Sequence, residues 1–293
     1  MHRNQGAKTD AVGQAPIATG ARHLCCYHRA VHDPSSGRGG HQQVSRRQAL
    51  RYAVAAPVLL NVATAFAPSA SAAGPRLIDF TERLVRPDQI KSAGFAGALV
   101  YVSEVRPGAD FDFKPVTREY ADAMRANGLH IVSCYQYGKP GWPTPSDFTR
   151  GFDGGVADAQ TALRLHDAAG GPDSAPIFFS VDEDIDLQTW KSPAVEWLRG
   201  IGSVLGVERT GIYGHSRACG WAIGDGVIGH SSSAGYRWAW QTSAWSQGER
   251  EPAAVLYQSA VNTASTPGPL IGGIHVDVDD VLAADFGQWD LKR

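Results

Sequence analysis

The 293-residue chain has few cysteines (four), very few methionines (two) and no surplus of basic residues. Cys25 and Cys26 fall in the first 43 residues and receive no function. Cys134 and Cys219 are too few for a disulfide framework and are expected to be small buried apolar residues. From residue 73 onward, 19 Lys+Arg stand against 27 Asp+Glu, whereas the segment before it is basic. Nucleic-acid binding needs basic patches, so no nucleic-acid partner is expected. No G-x-G-x-x-G follows the first strand candidate and no P-loop lysine motif occurs, so no cofactor is expected. A G-x-S-x-G elbow is also absent, which disfavours a serine hydrolase. His215, His275 and the nearby acids match no zinc or EF-hand spacing, so no metal is expected. There is no internal repeat.

No apolar run reaches the roughly 20 residues needed to span a bilayer. The run at 52–67 is interrupted by Pro57 and Asn61. Before it stands Ser45-Arg46-Arg47, and after it Ala70-Ser71-Ala72. A charged start, an apolar middle and a small-residue end make a secretory signal. The arginine pair makes it one read by the twin-arginine (Tat) export machinery. Residues 44–72 are therefore expected to be a Tat signal, cut near Ala73, with no stable membrane anchor. The mature protein is expected to be secreted or cell-wall associated. Residues 1–43 are rich in Gly, His, Arg and Ser and lack apolar periodicity. They are expected to be a gene-model artefact ahead of a start at Val44, or a disordered extension.

Residues 73–293 read as one domain. Short apolar or aromatic runs at 76–80, 98–104, 130–137, 176–182, 210–215, 236–241, 254–259 and 274–279 read as strands. Helix patterns at 87–93, 115–127, 156–169, 192–205 and 217–228 lie between them; 241–254 carries none. This alternation implies parallel strands with crossover helices. The expected fold is α/β, a compact (β/α)8 TIM-type barrel with one or two outer helices missing; an open doubly wound sheet is the alternative.

In a barrel, function sits at the C-terminal strand ends, and polar residues gather there. They include Asp79, Tyr135-Gln136-Tyr137, Asp182-Glu183-Asp184, Tyr213, Trp240, Tyr257-Gln258, Asp277 and Asp279. The apolar run 176–181 delivers three acids in succession. Period-two geometry would put Asp182 and Asp184 on one face and Glu183 on the other. Carboxylates that close push their pKa values apart, as glycoside hydrolysis requires. The alternative is a solvated acidic loop capping the next helix. The aromatic side chains Tyr135, Tyr137, Tyr213, Trp240 and Tyr257 would suit stacking on sugar rings, or ordinary core packing.

Asp79, Tyr135-Gln136-Tyr137, Val181-Asp182-x-Asp184, Gly211-Ile212-Tyr213, Tyr257-Gln258 and Val276-Asp277-x-Asp279 occur in the order seen in Chalaropsis-type lysozymes, glycoside hydrolase family 25. More closely, with the closing Asp285-Phe286-Gly287-Gln288-Trp289, the chain resembles secreted actinobacterial proteins with a glycoside-hydrolase-like domain of unknown function. The resemblance implies a barrel with a cell-wall glycan as partner. It implies Asp182, Asp184, Asp79 and Asp277 as catalytic candidates. Glu183, Tyr135, Tyr137, Tyr213, Trp240, Tyr257, Gln258 and Asp279 are then the substrate-binding candidates. The lysozymes carry acid-x-Glu at the end of strand four, with Glu as proton donor. Here Asp184 stands at that position, one methylene shorter. Three readings stay open: a peptidoglycan-active glycosidase, a non-catalytic glycan-binding envelope protein, and an envelope enzyme of another class on the same barrel.

The export expectation is directly testable. Arg46→Lys with Arg47→Lys preserves charge but removes the guanidinium pair that the receptor reads. Cell fractionation should find that double variant in the cytoplasm as uncut precursor. Normal secretion of it would refute the Tat assignment.

Overall fold

The computed structural model describes residues 74–141 and 144–290. The expected signal at 44–72, the segment 1–43 with Cys25 and Cys26, and the cleavage boundary at Ala73 lie outside the described residues. Among the described residues there are ten strands: β1 Arg76–Asp79, β2 Gly97–Tyr101, β3 His130–Tyr135, β4 Ile177–Ser180, β5 Thr210–Gly214, β6 Arg237–Thr242, β7 Ala254–Ala260, β8 Leu270–Ile271, β9 Ile274–His275 and β10 Asp277–Val281. Eight close into a barrel in the order β1-β10-β7-β6-β5-β4-β3-β2, while β8 and β9 pair as a separate hairpin. All positions of β2 and β4 are buried, as expected of strands covered on both faces.

Strands β1 to β7 run parallel, but β10 is antiparallel to both β1 and β7. The expectation of parallel strands throughout therefore fails at the eighth barrel strand. The cause is the connection. A parallel return needs a crossover of a dozen or more residues, usually helical. After β7 the chain forms only the β8–β9 hairpin, so it stays at the mouth and β10 runs back down from there.

The helices are α1 Pro87–Ser92, α2 Arg118–Ala126, α3 Gly151–Ala168, α4 Leu187–Thr189, α5 Val195–Leu205 and α6 Ser216–Gly224. They follow the first five strands; β6 and β7 have none after them. Thr117 caps α2 through its hydroxyl, and His215 caps α6 through Nδ1. In place of an outer helix after β10, the closing segment folds against the barrel. Trp289 donates its backbone N–H to Ile131 O and its indole N–H to Ser133 Oγ (2.8 and 3.0 Å), while the Asp285 carboxylate accepts from Ser232. Cys134 and Cys219 are buried and free. Among the described residues, no helix is long and apolar enough to cross a membrane.

Helix α3 starts at Gly151, five residues earlier than its sequence pattern predicts. Gly155 lies on the packing surface of α3 against α5. A Cβ on Gly155 would stand 2.0 Å from Trp197 O, and one on Gly200 of α5 would stand 2.1 Å from Phe152 O. The two helices touch backbone to backbone. Gly155→Ala and Gly200→Ala should each destabilise the fold by roughly 1–3 kcal/mol, the usual cost of overpacking. The check is a lower denaturant midpoint at unchanged slope. Gly224→Ala, with nothing within 4 Å, should show no loss.

Candidate active site at the barrel mouth

Alternation along the strands decides which polar residues face the lumen. Asp79 ends β1 and Asp277 begins β10, and the antiparallel register sets them directly opposite. Between them lies Gln258 of β7, 2% exposed. Its Nε2 donates to Asp79 Oδ2 at 2.8 Å and to Asp277 Oδ2 at 3.2 Å. Its Oε1 accepts from the Tyr213 hydroxyl at 2.9 Å and from Thr242 Oγ1 at 2.7 Å. Both amide protons and both carbonyl lone pairs are used, which fixes the amide's orientation. Asn262 N–H closes the network onto Asp277 Oδ1.

One layer deeper, Asp279 pairs in register with Leu77 and accepts from Trp240 Nε1 at 2.7 Å. The Tyr213 and Trp240 rings pack with centroids 4.3 Å apart. Asp79 lies within bonding reach of both Asp277 and Asp279. Two carboxyl groups bond only when a proton sits between them, and among the described residues Asp279 Oδ2 has no hydrogen-bond partner to stabilise its charge. Burial, reinforced by these mutual charges, pushes Asp79 and Asp279 well above the ordinary carboxyl range and Asp277 up to about 9. Burial and mutual charge thus favour the protonated forms in this stack.

Asp182 belongs to the same mouth: its charge acts on Asp277, Tyr101 and Tyr213. Gln136 Nε2 donates to its Oδ2 at 2.9 Å. Burial raises its pKa, opposed by Lys139, the Gln136 bond and Lys114. The expected side-by-side arrangement of Asp182 and Asp184 is not kept, because β4 ends at Ser180 and its alternation stops there. Asp184 is exposed and bonded to Arg217 Nη2 at 2.6 Å, at the start of α6. Glu183 is half-buried and accepts from Ser146 Oγ in the β3–α3 connection.

Several expected sugar-binding aromatics lie elsewhere. Tyr135 alternates outward, and its hydroxyl donates to Asp158 of α3 at 2.6 Å, beside Trp197 Nε1. Tyr257 alternates to the face opposite Gln258, where the Arg250 guanidinium covers its ring at 3.1 Å. Tyr213 and Trp240 do face the lumen, but they are buried and hold Gln258 and Asp279 rather than offering a free ring face. Tyr137 is half-buried against the core, its N–H bonded to Asp147.

Three contributors escaped the sequence reading altogether, Tyr101, Thr242 and Lys114, and Gln136 was named at its strand end without being given a site role. Strict alternation through the third strand would have chosen Gln136 over its tyrosine neighbours. Thr242 lies next to the end of its strand candidate and was open to the same argument, whereas Tyr101 lies inside the 98–104 candidate and ends only the observed β2. Lys114 carries no charge-site signal in the sequence; Tyr101 folds over it together with its neighbours Phe111 and Phe113. Of the histidines, His215 bonds Ala218 N–H and Ile185 O, and His275 bonds Gly268 O. Among the described residues, no group of three or more His, Cys, Asp or Glu is arranged to hold a metal ion.

The raised pKa of Asp277 has a stability consequence. Its folded value lies above its unfolded value, so its contribution is full below the ordinary 3.8 and is lost as pH rises toward about 9. Denaturation of the wild type across pH 5–9 should show stability falling with pH, at up to about 1.4 kcal/mol per unit for one proton. Asp277→Asn, which cannot ionise, should flatten that slope. An equal slope in both proteins would refute the proton-holding stack.

The arrangement can be set beside known proteins. The family described as Rv2525c-like, glycoside hydrolase-like domain matches residues 88–281. The Mycobacterium tuberculosis protein Rv2525c, named as a candidate peptidoglycan hydrolase, is 38% identical over 253 residues, covering 84% of this chain and 99% of its own length. The crystal structure of that Tat-secreted protein in complex with L-tartrate superposes with a TM-score of 0.66 at 39% identity, covering 73% of this chain and 98% of that one. An uncharacterised protein of B. stearothermophilus shares the fold, with a TM-score of 0.50 at 14% identity over 74% of this chain and all of its own. Since the family match takes in every strand from β2 to β10 and the relative is matched over nearly its whole length, the chain belongs to the Rv2525c-like, glycoside hydrolase-like domain family.

Proposed function

We propose that the protein is exported and that its barrel mouth acts on a cell-wall glycan of the peptidoglycan type. One observation carries this reading: Asp182 converges with the Asp79–Gln258–Asp277 network at one end of the barrel. The relative named as a candidate peptidoglycan hydrolase supports the choice of polymer. The 44–72 signal pattern and the Tat-secreted relative support export, to the cell wall or beyond.

In this reading Asp184, once released from Arg217, protonates the glycosidic oxygen. As that bond breaks, the carbonyl oxygen of the substrate's own N-acetyl group closes on the anomeric carbon, a substrate-assisted route. Asp182, aimed by Gln136, orients and polarises that N-acetyl group. Asp79 and Asp277, joined by Gln258, form the floor that positions the sugar and tunes Asp182. Water then opens the cyclic intermediate and returns a proton to Asp184. A second reading, binding without cleavage, is favoured by the Asp184–Arg217 bond, which withholds the acid from a substrate.

Incubation with purified cell walls separates the two. The wild type should pellet with the walls and release new reducing ends. Asp184→Asn should cut that release about 10²–10⁴-fold while leaving pelleting intact, because the amide keeps the shape but cannot serve as an acid. Asp182→Asn should also be damaging and Glu183→Gln mild. Pelleting without any release would establish the binding reading, and neither pelleting nor release would refute the glycan reading altogether.

A further inference from the structure

Lys114 is a buried cation that the reading above does not use. It lies on the loop between β2 and α2 and is 8% exposed. The loop is pinned to the mouth by Val116 N–H, which donates to Tyr101 O at 2.8 Å. The ammonium sits 4.1 Å from the centre of the Tyr101 ring, with Phe111 and Phe113 at 5.6 and 5.7 Å. Aromatic faces hold a cation but cannot neutralise it. Lys114 Nζ donates to Gln136 O at 2.7 Å, and Ser103 Oγ donates to the same oxygen at 2.8 Å. Both lone pairs of that carbonyl are occupied, so the backbone at Gln136 is clamped from two sides. The clamped residue is the one whose side-chain amide holds Asp182.

We propose that Lys114 is a positioning residue for Asp182, clamping Gln136 so that its amide aims the carboxylate and adding a positive charge beside that of Lys139. This rests on the reading of Asp182 as the glycan-facing carboxyl. The groups facing Lys114 are Tyr101 from β2, Arg106 from its own loop, Cys134 from β3, Asp147 from the β3–α3 connection and Asp182 beyond β4; Lys139 faces Asp182 as well. Burial brings the ammonium down to about 7, with Arg106 adding to the fall and Cys134, Asp147 and Asp182 opposing it. Below that pH the lysine is a cation and favours the Asp182 carboxylate. Above it, the neutral amine still donates to Gln136 O but exerts no charge.

The test is a carbon-13 NMR titration of the full chain, labelled at the aspartate carboxyl and lysine Cε positions. Asp182 and Lys114 are assigned by the signals missing from Asp182→Asn and Lys114→Met. In Lys114→Met the Asp182 midpoint should rise by about one pH unit, the lower end of what a nearby opposite charge supplies. Lys114→Arg, which stays charged, should hold that midpoint near the wild-type value. A merely structural lysine gives the opposite sign: loosening the mouth would hydrate Asp182 and lower its midpoint. Coupling is reciprocal, so Asp182→Asn should lower the Lys114 midpoint by a similar amount. That arm decides the matter if Lys114→Met does not fold. An Asp182 midpoint that is unchanged or lower in a folded Lys114→Met, or a Lys114 midpoint unmoved by Asp182→Asn, overturns the proposal. Neither titration needs a glycan, so their outcome is independent of the cell-wall assay.

Discussion

The four hydrogen bonds of the Gln258 amide hold the mouth of this barrel together. Barrel lumens are ordinarily filled by Val, Ile and Leu. This one admits Asp79, Asp277 and Asp279, and an isolated carboxylate there would cost several kcal/mol. The amide spreads the burden. Its protons face two carboxyls, and its carbonyl is held by two hydroxyls that cannot be replaced by carboxyls without repulsion. Truncating Gln258 would therefore break four hydrogen bonds at once, so the network behaves as a unit.

The closure of the barrel places these groups as much as their chemistry does. Had β10 run parallel, Asp277 would have entered at the bottom and the later residues of the strand would have reached the mouth. Because β10 descends, its first residue meets the last residue of β1, and Asp279 falls one layer below, beside Leu77 and Trp240. The stack of three acids is a product of that reversal. Its depth also favours the protonated forms, since each further layer removes water from the charged form.

Much of the fold could be read from the chain, because it rests on local signals. Eight apolar runs became the eight barrel strands, and each of the five helix patterns became a helix. The antiparallel strand escaped because its run at 274–279 looks like any other; direction is set by the absence of a crossover helix, a tertiary fact. Within the site, legibility followed alternation. Asp79 and Gln258 were legible as strand-end residues, while Asp277 was named on the expectation of a parallel strand and reaches the mouth because β10 runs antiparallel. Asp184 and Glu183 were placed by extending the alternation past Ser180, where the strand had already ended. Tyr135 was chosen for its ring although its strand position faces α3. Lys114 lay beyond reach, since only the folded aromatic cage makes a loop lysine a buried one.

Four acids at one mouth suggest an intensely negative site, yet the physics argues for a milder one. Burial and mutual repulsion favour the protonated forms of Asp79, Asp277 and Asp279. The floor is then a largely neutral surface of carboxyl and amide groups that both donate and accept. Such a floor can bond uncharged hydroxyl and acetamido groups without the desolvation cost of a full row of carboxylates. Charge is instead confined to the rim. There Asp182 answers to Lys114 through Gln136, and Asp184 is held apart by Arg217. Two carboxyls two residues apart in sequence thus face different partners, one tied to a buried cation and the other to an exposed one. That division keeps them from merging into a single coupled pair.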